Sequence, residues 1–164
     1  MSASDFDAIV ATGNVMVNVR IGVVGVDAPC EIVIGPRATA WIEQRVLRLG
    51  ADDAGAAEAS TRPAVSIDVG SLTGLAAWRG ATVVLTGAVD QLDIEALHYG
   101  KIDASELQLR AATVSLELSS VSVNAAESVS GFVAYQSDLT VSGGSDVSDI
   151  TTTNAGRLHI ASSI

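Results

Sequence analysis

"TVSLELSSVSVNAA", residues 113–126, sets Val114, Leu116 and Leu118 at alternate positions, then Val121 and Val123, with Ser115, Glu117, Ser119 and Ser122 between them. A two-residue period belongs to a β-strand with one wet face. The reading points Val114, Leu116 and Leu118 inward, leaves Ser115, Glu117 and Ser119 in water, and gives Ser120 to a bend leading into Val121 and Val123. Runs this short are not stable alone and must be stacked on neighbours.

The same texture extends from Val65 to the end of the chain. Val65, Ile67 and Val69 alternate, then Val83 and Leu85, Leu92 and Ile94, Leu107 and Leu109, Val133 and Tyr135, Leu139 and Val141, Leu158 and Ile160. Ile94, Val114 and Val133 recur at intervals near 20 residues, as do Ile102, Val123 and Val141, a spacing that fits one coil of a β-solenoid. A sandwich of tight hairpins would call for Asn-Gly or Asp-Gly turns, and the body has neither. Tyr99, Phe132 and Tyr135 are the only aromatic residues after Trp78, so the interior must be filled by Val, Ile, Leu and Ala, as a narrow coil requires.

Upstream, residues 8–24 read as a strand with Val15, Val17, Val19 and Ile21 on one side and Met16, Asn18 and Arg20 on the other. Cys30, Ile32 and Ile34 offer a second strand, ended by Gly35 and Pro36. Trp41, Ile42, Arg45, Val46 and Leu49 recur at three and four, which predicts a short helix between Ala38 and Leu49, with a strand beginning at Val46 as the alternative. Residues 50–64 carry three acids, two glycines and no bulky apolar side chain, and read as a solvated loop or hinge. With 164 residues the expectation is one domain: N-terminal strands and the short helix over 1–50, the loop over 51–64, and irregular repeats over 65–164.

The sequence from about Asp5 to Ile160 resembles a bacterial family of domains described as putative auto-transporter adhesin, head GIN domain. Phe6, Ile9, Gly13, Val15, Val17 and Gly22 match its opening phrase, and Leu92–Ala104, Val114–Ala125 and Phe132–Gly143 look like three of its repeats. The usual Ser-Gly-Ser-Gly corners are replaced by His98-Tyr99-Gly100, Ser119-Ser120 and Gln136-Ser137-Asp138. The resemblance implies an all-β fold with a right-handed β-solenoid body and a smaller N-terminal part. It also implies a place in the cell envelope, in the periplasm or at the surface, once a leader has been removed. Asp5 and Asp7 stand where a signal peptide would carry basic residues, so a native N-terminus would place the chain in the cytoplasm.

Nine basic against nineteen acidic residues give a net charge of −10, and the basic residues are scattered, which argues against nucleic acid as a partner. No stretch reaches 18 uninterrupted apolar residues, so no transmembrane segment is expected. Cys30 is the only cysteine, read as a small buried apolar residue. His98 and His159 lie some 60 residues apart without a second ligand nearby, which leaves no structural zinc set and no relay for a nucleophilic serine such as Ser142. Asp146 and Asp149 within SGGSDVSDI are the one faint calcium candidate, and its second glycine is missing. No cofactor and no metal are expected.

Asp90, Asp93, Glu95, Lys101, Asp103 and Glu117 are the charges from which a polysaccharide-cleaving solenoid would assemble a site, and an ordinary solvated sheet presents the same pattern. Trp41, Trp78 and Tyr99 are the candidate binding residues, because aromatic faces stack on sugars and anchor protein interfaces. The expected function is therefore a non-enzymatic, adhesin-like scaffold with protein or self-association partners. Homo-oligomeric assembly through the solenoid ends and a carbohydrate-active enzyme using the outer-face acids are the alternatives, with carbohydrate a possible partner.

Overall fold

Every residue from Thr82 to Leu97 is in one strand, sixteen in all, which a flat sheet would stretch to about 50 Å. Instead the strand bends around a coil, with its first half and second half paired to different neighbours. The computed structural model describes residues 6–22, 30–51 and 62–161 and contains thirteen strands and no helix among them. In chain order they are β1 (Ala8–Thr12), β2 (Met16–Ile21), β3 (Glu31–Ile34), β4 (Ala38–Glu43), β5 (Val46–Ala51), β6 (Ala64–Val69) and β7 (Gly74–Trp78). Then come β8 (Thr82–Leu97), β9 (Lys101–Glu117), β10 (Ser120–Ala134), β11 (Asp138–Ser142), β12 (Ile150–Thr152) and β13 (Arg157–Ile160). The architecture is that of a β-solenoid, all-β as the alternation predicts.

Thr82, Lys101, Ser120, Asp138 and Arg157 occupy one position of successive coils, so each coil takes 18 or 19 residues. On the first side of the coil Val65, Val17, Val83, Ile102, Val121 and Leu139 stack in one fully buried column. On the second side Leu47, Ile9, Leu75, Ile94 and Val114 do the same. Each such side chain contributes about 1.5–3 kcal/mol by leaving water, which is why Val, Ile and Leu recur at these positions. The spacing of near 20 pairs Ile94 with Val114 correctly, but Val114 then meets Gly131 and Ile102 meets Val121. Bulges in β9 and β10 absorb residues that a count along the sequence cannot assign.

Corners close the coils. Just before each turn into the first side the backbone passes through positive φ, at Arg79, His98, Tyr99, Leu118, Tyr135 and Gln136, and a small buried residue follows: Ala81, Gly100, Ser119 or Ser137. A Cβ on Gly100 would stand 1.9 Å from the Ala77 carbonyl oxygen, so no larger residue fits there. Leu118, at φ 48°, reverses the alternation of the opening stretch: Ser119 is buried and its hydroxyl donates to the Ala96 carbonyl at 2.6 Å, while Leu118 is only half-buried. Val114 and Leu116 point inward as read.

The short helix expected between Ala38 and Leu49 is absent; β4 and β5 form an antiparallel hairpin there. Gln44 and Arg45 both have positive φ, the signature of a tight two-residue turn that no helix can contain. Leu47 and Leu49 fill the columns above Ile9 and Ala11, so the period of two prevails over the three-and-four spacing. Most of the predicted loop, residues 52–61, lies outside the described residues.

Stack order and chain order disagree at the N-terminal end. β1 pairs in parallel with both β5 and β7, and β2 with both β6 and β8. The coil made by β1 and β2 therefore sits between the β5–β6 coil and the β7–β8 coil, and the chain steps over it between β6 and β7. Among the described residues the only antiparallel ladders are β3 on β6 and β4 on β5, which close this end of the stack. At the other end β12 and β13 are edges.

Candidate functional site

β7 departs from the alternation of the other strands: Gly74-Leu75-Ala76-Ala77-Trp78 is apolar at every position, so its outward side is apolar as well as its inward side. Register sets Ala8, Gly74, Asp93 and Thr113 in one outward row, and Val10, Ala76, Glu95 and Ser115 in the next. Small side chains in the middle of these rows leave a groove of about 340 Å³ on the second side, walled by Trp78, Asp93 and Glu95. Its size is at the lower end of ligand pockets. Gly74 is not demanded by its backbone, since a Cβ there would touch only the Ala8 Cβ at 3.5 Å. The missing side chain keeps the floor low.

The Trp78 indole N–H donates to Glu95 Oε1 at 2.7 Å, which fixes the ring at the groove wall. Two carboxylates are the only charged groups among the lining residues. Arg48, one strand beyond Val10, donates to Glu43 at 2.7 Å. Phe132 continues the outward row past Ser115 and is 51% exposed, which extends the apolar character of this side.

Of the three aromatic candidates, Trp78 alone lines the groove. Trp41 is on the same side but on the edge strand β4, three strands away and hence about 14 Å along the stack, and is 46% exposed. Tyr99 is 70% exposed at a corner, beside a separate hollow of about 200 Å³ that it shares with Lys101, Leu118 and Gln136. The acids divide likewise. Asp93 and Glu95 come together in the groove, Glu117 lies on the same side beyond Leu97, and Lys101 and Asp103 stand on the first side. Asp103 accepts the Ser105 N–H and hydroxyl at 3.1 and 2.6 Å. No basic group stands beside the paired acids among the lining residues.

His98 is exposed at its corner, and His159 lies 3.4 Å from Asp138 Oδ1. Asp138 also takes both arms of the Arg157 guanidinium at 2.7 and 2.9 Å, which holds its carboxyl below the usual carboxylate range. Asp146 accepts the Ser148 N–H at 2.9 Å, a bond that lowers its pKa. No group of three or more His, Cys, Asp or Glu side chains is placed to hold a metal ion among the described residues. No helix there is long and apolar enough to cross a membrane. The floor residues Ala8, Val10, Gly74 and Ala76 escaped the reading of the sequence; the unbroken apolar run 74–78 was the available signal.

The family model described as "Putative auto-transporter adhesin, head GIN domain" matches residues 39–145. Among solved structures, one described as a putative adhesin from Parabacteroides distasonis ATCC 8503 is similar at 17% identity and a TM-score of 0.55, covering 86% of this chain and 67% of that one. Another putative adhesin, from Bacteroides fragilis NCTC 9343, is similar at 15% identity and a TM-score of 0.51, covering 95% of this chain and 91% of that one. At these identities the likeness is one of fold. No curated protein matches the chain.

Proposed function

The chain belongs to this head GIN domain family, and from that premise we propose that it is a non-enzymatic contact module of the cell envelope, an adhesin-like scaffold whose second side is the contact surface. One observation carries the reading: the two outward sides of the same coil differ in kind. The first side presents Thr82, Ser120, Ser122, Asn124, Thr140 and Ser142 with scattered charges, ordinary wet sheet. The second presents Val10, Ala76 and Trp78 in a groove with Leu97 beside Trp78, and Phe132 farther along the row beyond Glu95 and Ser115, and an apolar patch on a protein surface marks an interaction site. Trp78 is the anchor on this reading, and Tyr99 and Trp41 are peripheral.

A photo-crosslinking residue at Thr113, an exposed residue at the end of the groove, compared with one at Ser122 on the first side, tests the proposal in cells. Adducts are expected from position 113 and not from 122; adducts only from 122, or from neither, overturn it. Fractionation of the full-length gene product tests the envelope assignment, which fails if the protein is recovered with the cytoplasm.

A second reading, assembly through the solenoid ends, is favoured by exposed apolar residues on edge strands, Val33 and Ile34 on β3 and Ile160 on β13. Sedimentation over a hundredfold concentration range checks it, with Ile160→Lys expected to dissolve any oligomer.

A further inference from the structure

We propose that the groove takes a lysine or arginine side chain from an extended segment of a partner protein, its aliphatic stem lying on Val10 and Ala76 beside the Trp78 ring and its charged head reaching Asp93 and Glu95. This rests on the second side being the contact surface and names what that surface recognises.

Charge complementarity selects the occupant. Of the fourteen residues lining the groove two are charged, and both are acids. The arginines that form ion pairs among the described residues are committed elsewhere: Arg20 to Asp68, Arg45 to Asp7, Arg48 to Glu43, Arg110 to Glu127 and Arg157 to Asp138. Neither Asp93 nor Glu95 is in such a pair, on a chain with a net charge of −10. The groove thus holds negative charge on an apolar floor without an internal counter-ion, and a long side chain with an apolar stem and a cationic head meets both needs at once.

The aromatic wall points the same way. With its N–H held by Glu95, Trp78 offers the groove its ring, and an aromatic face attracts a cation through its quadrupole. A sugar's hydroxyls could donate to the same carboxylates but bring no charge to balance them, and the lining hydroxyls, Thr113 and Ser115, lie together at one end on β9. The lining spans β5, β1, β7, β8 and β9, about 19 Å across the strands, which is the reach of about six residues of extended chain. A peptide segment fills that length; a free amino acid does not.

The test uses the full chain carrying Trp41→Phe, so that Trp78 is its sole tryptophan, titrated with a heptapeptide alternating lysine and valine. A glutamate-valine heptapeptide and a tetrasaccharide of N-acetylglucosamine serve as comparisons. Saturable change in Trp78 emission is expected with the lysine peptide alone, weakened at least tenfold by Asp93→Asn with Glu95→Gln and by raising salt from 0.05 to 0.5 M. Gln at 95 retains an acceptor for the indole N–H, so this variant removes charge and spares the wall. Gly74→Leu, which fills the floor, is expected to abolish binding with an unchanged circular dichroism spectrum. Equal affinity of the charge-neutral variant, saturable binding of the saccharide in place of the peptide, or no binding of the peptide overturns the proposal. Adducts from position 113 in cells, alongside any of those results, leave the contact surface standing and remove only the cationic occupant.

Discussion

From Thr82 onward each coil lies on the one before it, whereas the coils before Thr82 are stacked out of order, with β1 and β2 between strands that come later in the chain. Both regions use the same buried columns and the same parallel ladders. The difference teaches that a column specifies what stacks but not in which order. Any strand with Val or Ile in register can fill a rung, and the N-terminal pair fills one in the interior. It also has an energetic consequence. A terminal coil contacts one neighbour, and the β1–β2 coil contacts two.

Removing residues 6–22 should therefore have the largest effect, because it leaves β5 and β6 without β7 and β8 and opens the core between them. Loss of the cooperative thermal transition is expected, with recovery when a peptide of residues 6–22 is added. Removing the last coil, residues 143–161, should lower the melting temperature while keeping a cooperative transition. Equal damage from the two truncations would break the comparison.

Gly87→Ala comes next. A Cβ there would stand 1.9 Å from the Ile21 carbonyl oxygen, where β8 bends against the inserted coil, and the backbone has φ 103°. A loss of about 2–4 kcal/mol is expected by denaturant titration, against less than about 0.5 kcal/mol for Gly74→Ala in the open groove. A neutral Gly87→Ala would mean that the two coils are not pressed together at that corner.

In the ordered region, Ser137 is buried; its hydroxyl donates to the Ala134 carbonyl at 2.6 Å and accepts the Ser119 N–H at 3.2 Å. Ser137→Ala should cost about 1–3 kcal/mol by leaving the buried Ser119 N–H without its acceptor, while the Ala134 carbonyl keeps the Ser137 backbone N–H. An unchanged denaturation midpoint would show that this corner hydroxyl is dispensable.

The smallest effect belongs to the exposed pair Asp138–Arg157 between β11 and β13. Because the Asp138 pKa is lowered from its ordinary 3.8, chiefly by the Arg157 hydrogen bond, its contribution is present above that value and is lost as pH falls through the lower folded-state pKa. Asp138→Asn should cost a little stability at pH 7, where the charged pair is formed, and that difference should vanish as pH falls through the folded-state pKa, flattening the acid limb. A loss that persists unchanged at low pH would point to geometry, not charge.

Val114 and Leu116 show how far the alternation carries, since both are buried on the side the sequence assigns them. Two residues after Leu116 the assignment fails, because Leu118 turns through positive φ and sends Ser119 inward. Nothing in the composition of the stretch announces that reversal. Trp41, Ile42 and Val46 fit a helix by spacing alone, and only the columns waiting at Ile9 and Ala11 draw Leu47 and Leu49 into a strand. Trp78 and the pair Asp93 and Glu95 were singled out as residues, but their meeting in one groove depends on β7 and β8 lying side by side.

What the sequence by itself determined is the material of the solenoid: an alternation of period two, a coil near 20 residues, a narrow aliphatic interior and an acidic surface. Those properties are local, since each follows from the side chains of a few consecutive residues and their cost in water. The tertiary structure alone decided the stack order, the register across bulges, the hairpin at one end, and which outward residues share a groove. Each of these depends on competition among many nearly equivalent strands for the same neighbours, and a β-strand carries no record of its partner until it is paired.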